Sequence, residues 1–195
     1  LMELSHRSST FDAVIQSAKS RLRSLLNVPE DYEILFLQGG ASMQFYMTAL
    51  NFLLPNDTAD YINTGTWSTK AIKEAKRVAS VRTIWQPENG VFTAVPTQSE
   101  LQENEDAVYL HYTSNNTIYG TQFHNIPETT KPLIADLCSD ICSRPIDVSK
   151  HQVIYAGAQK NLGPSGVTAV ILSPWAVQRS REVNSIRKEG LPSML

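Results

Sequence analysis

Apolar residues recur at helical spacing from Phe11 through Val14, Ile15, Ala18, Leu22, Leu25 and Leu26, and Asn27-Val28-Pro29 ends that pattern. The period then changes. Residues 33–37 form a short apolar run, predicted as a strand, that runs into Gln38-Gly39-Gly40. Residues 41–54 are apolar almost all round, which predicts a buried helix rather than a surface one. A strand is predicted at 59–62, and an amphipathic helix at 68–79 carries Lys and Arg toward its C-terminal half, where they suit the helix dipole. Further short apolar runs fall at 80–85, 107–112, 132–135, 153–156 and 167–172, and a last helix is predicted over 174–187. No internal repeat or low-complexity tract interrupts the series.

Short apolar runs that alternate with helices indicate an α/β fold: three layers, with a mostly parallel sheet covered on both faces. In such sheets ligands bind in the loops that follow the carboxyl ends of the strands. That rule singles out Gly39-Gly40-Ala41-Ser42, Gly65-Thr66-Trp67, the loop from Thr113 to Gly120, Asp136, and Gly157-Ala158-Gln159-Lys160.

Composition narrows the class. In 195 residues, 42% hydrophobic and 18% charged content excludes a disordered or fibrous chain. With 17 basic against 19 acidic residues the net charge is −2, which offers no general attraction to nucleic acid or to an anionic membrane. No apolar run approaches the roughly 20 residues that cross a bilayer. Cys138 and Cys142 are too few for a disulfide framework, and the four scattered histidines supply no zinc spacing. Both thiols are therefore read as reduced and packed, in a cytoplasmic protein without a metal site. Both ends of the sequence lack the polar, loose character of a domain edge, so the chain is expected to be a piece of a longer protein.

The loop residues divide by chemistry. Gly39-Gly40-Ala41-Ser42 between a strand and a helix is either a plain tight turn or a phosphate cradle built from free backbone N–H groups. It matches neither the dinucleotide nor the P-loop fingerprint. Asp136 at a strand end either caps a turn or meets a cation, because an ionised carboxylate at a buried sheet edge is costly when unpaired. Lys160 stands among small neutral residues, a context that suits a partly buried amine of lowered pKa, a natural Schiff-base former. Trp67 is either core filler or a flat face for stacking on a ring, and Thr117 is either a turn residue or a hydroxyl partner. An anion cradle, a stacking face, a carboxylate and an isolated amine together match what pyridoxal phosphate requires.

Six stretches carry a resemblance: Met2 to Ser8, Phe36 to Ser42, Tyr61 to Ser68, His111 to Asn115, Ser143 to Ser149, and the most specific, Tyr155-Ala156-Gly157-Ala158-Gln159-Lys160-Asn161-Leu162-Gly163-Pro164. With these, in this order, the chain resembles the phosphoserine aminotransferases, a class V family of fold-type I pyridoxal-phosphate enzymes. The resemblance implies a seven-stranded sheet and reads residues 1–195 as the cofactor-binding large domain, with an N-terminal lead-in and a C-terminal small domain lying outside it. It implies that Lys160 binds the cofactor aldehyde covalently and shuttles a proton, that Asp136 pairs with the pyridinium, and that Trp67 stacks on the ring. Ala41 and Ser42 would give N–H groups to the phosphate, Gln159 its amide, and Thr117 a bond to the phenolic oxygen. His6 and Arg7 match residues that help bind the substrate's phosphate, a task that suits a planar guanidinium.

The implied reaction is transfer of the amino group of glutamate to 3-phosphohydroxypyruvate, giving O-phosphoserine and 2-oxoglutarate in a ping-pong cycle, by a full-length protein expected to be a homodimer. One departure is Asn116, where the family commonly has Glu; a modest effect is expected because that side chain is not a core cofactor contact. Two other readings stay open: a different class V enzyme such as a desulfurase, and a truncated form that binds cofactor or a partner subunit without turnover.

Overall fold

The computed structural model describes residues 4–187, and in it the chain alternates between strands and helices as the apolar pattern predicts. The elements in order are α1 (Ser9–Leu26), β1 (Glu33–Leu37), α2 (Gly40–Phe52), β2 (Thr58–Ile62), α3 (Thr66–Ala75), β3 (Ser80–Trp85), β4 (Ala107–Thr113), β5 (Asn115–Asn116), β6 (Thr121–Gln122), β7 (Leu133–Asp136), β8 (Val153–Gly157), β9 (Thr168–Leu172) and α4 (Pro174–Ile186).

Local chemistry sets the helix ends. Ser8 caps α1 by accepting the Phe11 N–H, and Asn27 ends it in the left-handed conformation, with its own N–H returned to the Arg23 carbonyl. The Arg23 guanidinium then holds the reversal into β1 by donating to the carbonyls of Val28, Pro29 and Tyr32. Ser173 caps α4 in the same manner through the Ala176 N–H, with Pro174 at the first helical position, where its missing N–H costs nothing. Helix α3 starts two residues earlier than predicted and ends at Ala75, because the Ser68 hydroxyl accepts the N–H groups of Thr64 and Gly65 and so organises the turn ahead of it.

Seven strands form one sheet in the order β1-β9-β8-β7-β4-β2-β3. The β8–β7–β4–β2–β3 pairs are parallel, whereas β9 lies antiparallel between β1 and β8, so six strands share a direction and one opposes them. One sheet face packs on α1 through Leu22 and Leu26 with Ile34, Ile154 and Ile171. The other packs on α2, α3 and α4 through Phe45, Phe52, Ile72 and Ala176 with Tyr61, Tyr155 and Val170. The central strands β4, β7, β8 and β9 are buried on both sides, which is why they read as continuous apolar runs. The three-layer α/β expectation holds. Among the described residues no helix is long and apolar enough to cross a membrane.

The second face carries a fully buried polar chain. His111 Nε2 lies 2.8 Å from the Tyr155 hydroxyl and its ring stacks on Tyr61, whose own hydroxyl pairs with that of Tyr109 at 2.8 Å. Burial lowers the His111 pKa to about 3 and, on the opposite face, that of His151 to about 4. Both imidazoles are therefore neutral in the folded protein and must charge on unfolding. Their folded pKa is depressed, so the stability they contribute is full above pH 6.5 and is lost as pH falls toward 4, about 3 kcal/mol for each group. The stability difference between the parent and His111→Gln, measured by urea unfolding, should shrink by about that amount between pH 7 and pH 4. A difference that stays flat over the same range would show that His111 is not held neutral.

Candidate active site

The carboxyl ends of β2, β4, β7 and β8 and the start of α2 converge on a cavity of about 200 Å³. Lining it are Ala41, Ser42, Trp67, Asp136, Gln159 and Lys160, drawn from four separate connections of the chain. Six of the nine residues selected from the sequence thus meet in one place. A seventh, Thr117, bonds to two of them. His6 and Arg7 do not line the cavity; both are exposed in the turn ahead of α1, where Ser8 N–H returns to the Ser5 carbonyl.

Helix α2 opens without a side-chain cap, so its first N–H groups have no side-chain acceptor. Gly39 and Gly40 precede and start it with φ of +92° and +62°. A Cβ on Gly39 would come within 2.6 Å of Met43, so this turn accepts glycine for conformational and steric reasons together. The result is a run of free donors at the positive end of a helix dipole, opening into the cavity at Ala41 and Ser42.

Trp67 sits in the first turn of α3, half-buried, and is held at two points. Its backbone N–H donates to Asn116 Oδ1 at 2.9 Å, and its indole Nε1–H donates to Thr117 Oγ1 at 3.2 Å. The ammonium groups of Lys70 and Lys160 lie 4.7 and 5.5 Å from the ring centroid, each a cation–π contact worth roughly 0.5–1 kcal/mol at such an exposed position.

Asp136 ends β7 and is 3% exposed. Its Oδ1 accepts the Cys138 N–H at 3.0 Å, so it does close a turn, and it also faces the cavity that Lys160 lines. The turn-closing reading of this residue is thus realised, and its cavity position leaves the carboxyl open to a cationic partner. Burial raises its pKa to about 6, against the opposing pull of the Cys138 hydrogen bonds and the Lys160 charge. A buried carboxylate so placed favours a cationic partner.

Lys160 rides the turn after β8, and its Nζ donates to Thr117 Oγ1 at 3.3 Å. The sequence context suggested a partly buried amine; the side chain is instead exposed, because the turn carries it past the strand end to the open mouth of the cavity. Gln159, also exposed, folds back over Gly157, where an added Cβ would lie 2.6 Å from its Oε1. Gly157 is thus small so that the Gln159 amide can return toward the strand end.

Two residues of the site were not singled out as carrying chemistry. Cys138, two positions after the acid, accepts the Gly157 N–H on its sulfur at 3.0 Å and lies against the Asp136 carboxyl. Burial pushes its thiol pKa well up, so it is a protonated structural group and not a nucleophile. Asn116 is fully buried, and its two hydrogen bonds reach residues about fifty positions earlier, which no local signal reveals. A larger hollow of about 370 Å³ lies beside Asp140 and Arg144, where Asp140 accepts from Ser114 and Gln122 and meets Arg144 at 3.6 Å. Among the described residues no cluster of three His, Cys, Asp or Glu is placed to hold a metal.

An uncapped helix start, a flat indole, a buried acid and an exposed primary amine around one small cavity fit a planar cationic heterocycle with an anionic tail and a carbonyl. Residues 2–185 match the family model described as aminotransferase class-V, and the chain belongs to that family. Within it, curated relatives at 46–52% identity are named phosphoserine aminotransferase. The phosphoserine aminotransferase of Geobacillus kaustophilus is 49% identical over all of this chain, which covers 52% of that relative. The solved phosphoserine aminotransferase of Bacillus circulans subsp. alkalophilus superposes with a TM-score of 0.88 at 45% identity, covering 99% of this chain and 52% of that one. A phosphoserine aminotransferase from Trichomonas vaginalis, solved with pyridoxal phosphate bound, gives 0.83 at 35% identity, covering 99% and 58%. The chain spans about half the length of the curated relatives it matches.

Proposed function

We propose that the complete protein is a pyridoxal-phosphate-dependent transaminase that moves the amino group of glutamate to 3-phosphohydroxypyruvate, yielding O-phosphoserine and 2-oxoglutarate. One observation carries this reading: Lys160 and Asp136, 24 positions apart in sequence, line the same cavity with Trp67 and the start of α2. Likeness to phosphoserine aminotransferases at about half identity supports the choice of substrates.

When bound, the cofactor supplies an electron sink that stabilises the carbanion left as an amino acid's α-proton departs. The chain's own residues do the rest. Gly40, Ala41 and Ser42 offer backbone N–H groups to an anionic tail, and Gln159 adds an amide. Trp67 gives a face that keeps a ring flat and dry. Asp136, ionised once a cationic ring nitrogen meets it, keeps that nitrogen protonated. Lys160 Nζ holds and returns the travelling proton, and Thr117 Oγ1, 3.3 Å away, orients the amine. For His6 and Arg7 we keep the role of gripping the substrate's phosphate; their exposure and the guanidinium fork support it. The half-buried Cys138, whose thiol is held protonated by desolvation, argues against a sulfur-transfer reaction, which requires a mobile and reactive thiolate.

Donor choice tests the reading. The full-length protein loaded with cofactor and given 3-phosphohydroxypyruvate should use glutamate with a kcat/KM at least ~10²-fold above alanine, serine or cysteine. Equal use of all four, or sulfide release from cysteine, would contradict it.

A further inference from the structure

We propose that Asn116 is a positioning residue, whose carboxamide fixes the turn that carries Trp67 and so sets where its ring, held by Thr117, meets a flat cofactor. The inference rests on the reading of Trp67 as the stacking face, and it extends the site to a residue that touches no bound group itself.

Three observations converge on Asn116. Its Oδ1 accepts the Trp67 backbone N–H at 2.9 Å, and its Nδ2 donates to Thr64 Oγ1 at 2.8 Å, so one fully buried amide bridges both sides of the turn that launches α3. Thr64 is itself held by its carbonyl, which accepts the Thr121 hydroxyl at 2.6 Å. The β5–β6 hairpin, paired through Asn116 and Thr121, therefore grips the turn at two points. Next, Gly65 makes room: an added Cβ there would stand 2.7 Å from the Asn116 carboxamide, and its φ of +157° with ψ of −163° is a conformation that glycine alone adopts readily. Finally, the neighbouring Thr117 accepts the indole N–H and receives the Lys160 ammonium. Asn116 and Thr117 thus hold Trp67 by backbone and ring respectively, and Thr117 ties the ring to the amine that does the chemistry.

The arrangement has a physical purpose. A tryptophan in the first turn of a helix, half-exposed and without core packing on all sides, has rotamer freedom that a stacking partner must lose on binding. Fixing its backbone N–H and its indole N–H beforehand removes that cost in advance. Replacing Asn116 by Leu keeps the bulk but deletes both bonds and leaves the Trp67 N–H without an acceptor. Asp keeps the acceptor, and the Thr64 hydroxyl can turn to donate to it.

The test is a double-mutant cycle in the full-length protein, read as cofactor dissociation constant by absorbance titration and as the near-ultraviolet circular dichroism assigned to Trp67 by difference from Trp67→Ala. Asn116→Leu should weaken cofactor binding ~10-fold, the effect of one buried group left without its partner, and erase the Trp67 signal. Asn116→Asp should stay within ~3-fold of the parent and keep the signal. In the Trp67→Ala background, which has no ring to position, Asn116→Leu should add nothing. Should Asn116→Leu fail to fold, Thr64→Val removes the hydroxyl partner with little change of shape; it should loosen the cofactor ~3-fold in the parent and not at all in Trp67→Ala. Additive losses in either cycle, or a folded Asn116→Leu that keeps both affinity and signal, would overturn the proposal. A Trp67→Ala variant that binds cofactor as tightly as the parent would instead overturn the stacking reading itself.

Discussion

Replacing Lys160 by Ala in the full-length protein should abolish the visible absorbance of covalently held cofactor and lower turnover by about 10⁴-fold or more. Among the described residues no other lysine lines the cavity. Lys70, the second ammonium near Trp67, sits over the ring but is not among the residues lining the cavity, whereas Lys160 lines it and is oriented by Thr117. Both proton movement and covalent attachment would be lost together, and each alone contributes on the order of 10²–10⁴-fold. The check is a spectrum and a steady-state rate measured on the same preparation. A variant that retains a borohydride-reducible chromophore would show that a different amine holds the cofactor.

Asp136→Asn should cut the rate of the loaded enzyme by about 10²- to 10⁴-fold, from the roughly 3–5 kcal/mol lost when one partner of a buried ion pair is removed. In the cofactor-free protein the same substitution should have the opposite sign. Burial raises the Asp136 pKa from 3.8 to about 6, so its contribution to folding is full below pH 3.8 and is lost as pH rises through 6. Above pH 6 the parent holds a buried charge that Asn lacks, and Asp136→Asn should be more stable by up to about 3 kcal/mol. Urea unfolding at pH 7.5 without cofactor reads this directly. A variant both fully active and no more stable would remove Asp136 from the site.

These opposite signs are what a residue kept for function at the expense of stability looks like, and they bear on what the sequence could reveal. The strand ends were legible because β2, β4, β7 and β8 are buried on both faces and read as apolar runs, so each following loop could be located. Asp136 and Lys160 stood out because each follows the carboxyl end of such a run, where ligands bind in these sheets. Other features had no local signal. The reversed direction of β9 depends on its antiparallel pairing with β1 and β8, not on its own composition. The β5–β6 hairpin consists of two-residue strands with no period to detect. Asn116 looked peripheral because its partners, Thr64 and Trp67, come from a different turn of the chain. The exposure of Lys160 also escaped prediction, since whether a loop lysine is covered depends on how far its turn projects.

The most direct measurement is a crystal structure of the full-length protein with its cofactor. The account expects Lys160 Nζ to be joined to the cofactor's carbonyl carbon, with the Asp136 carboxylate in hydrogen-bond contact with the ring nitrogen and Trp67 against the ring. A cofactor bound with its ring nitrogen away from Asp136, or attached through any other lysine, would contradict it.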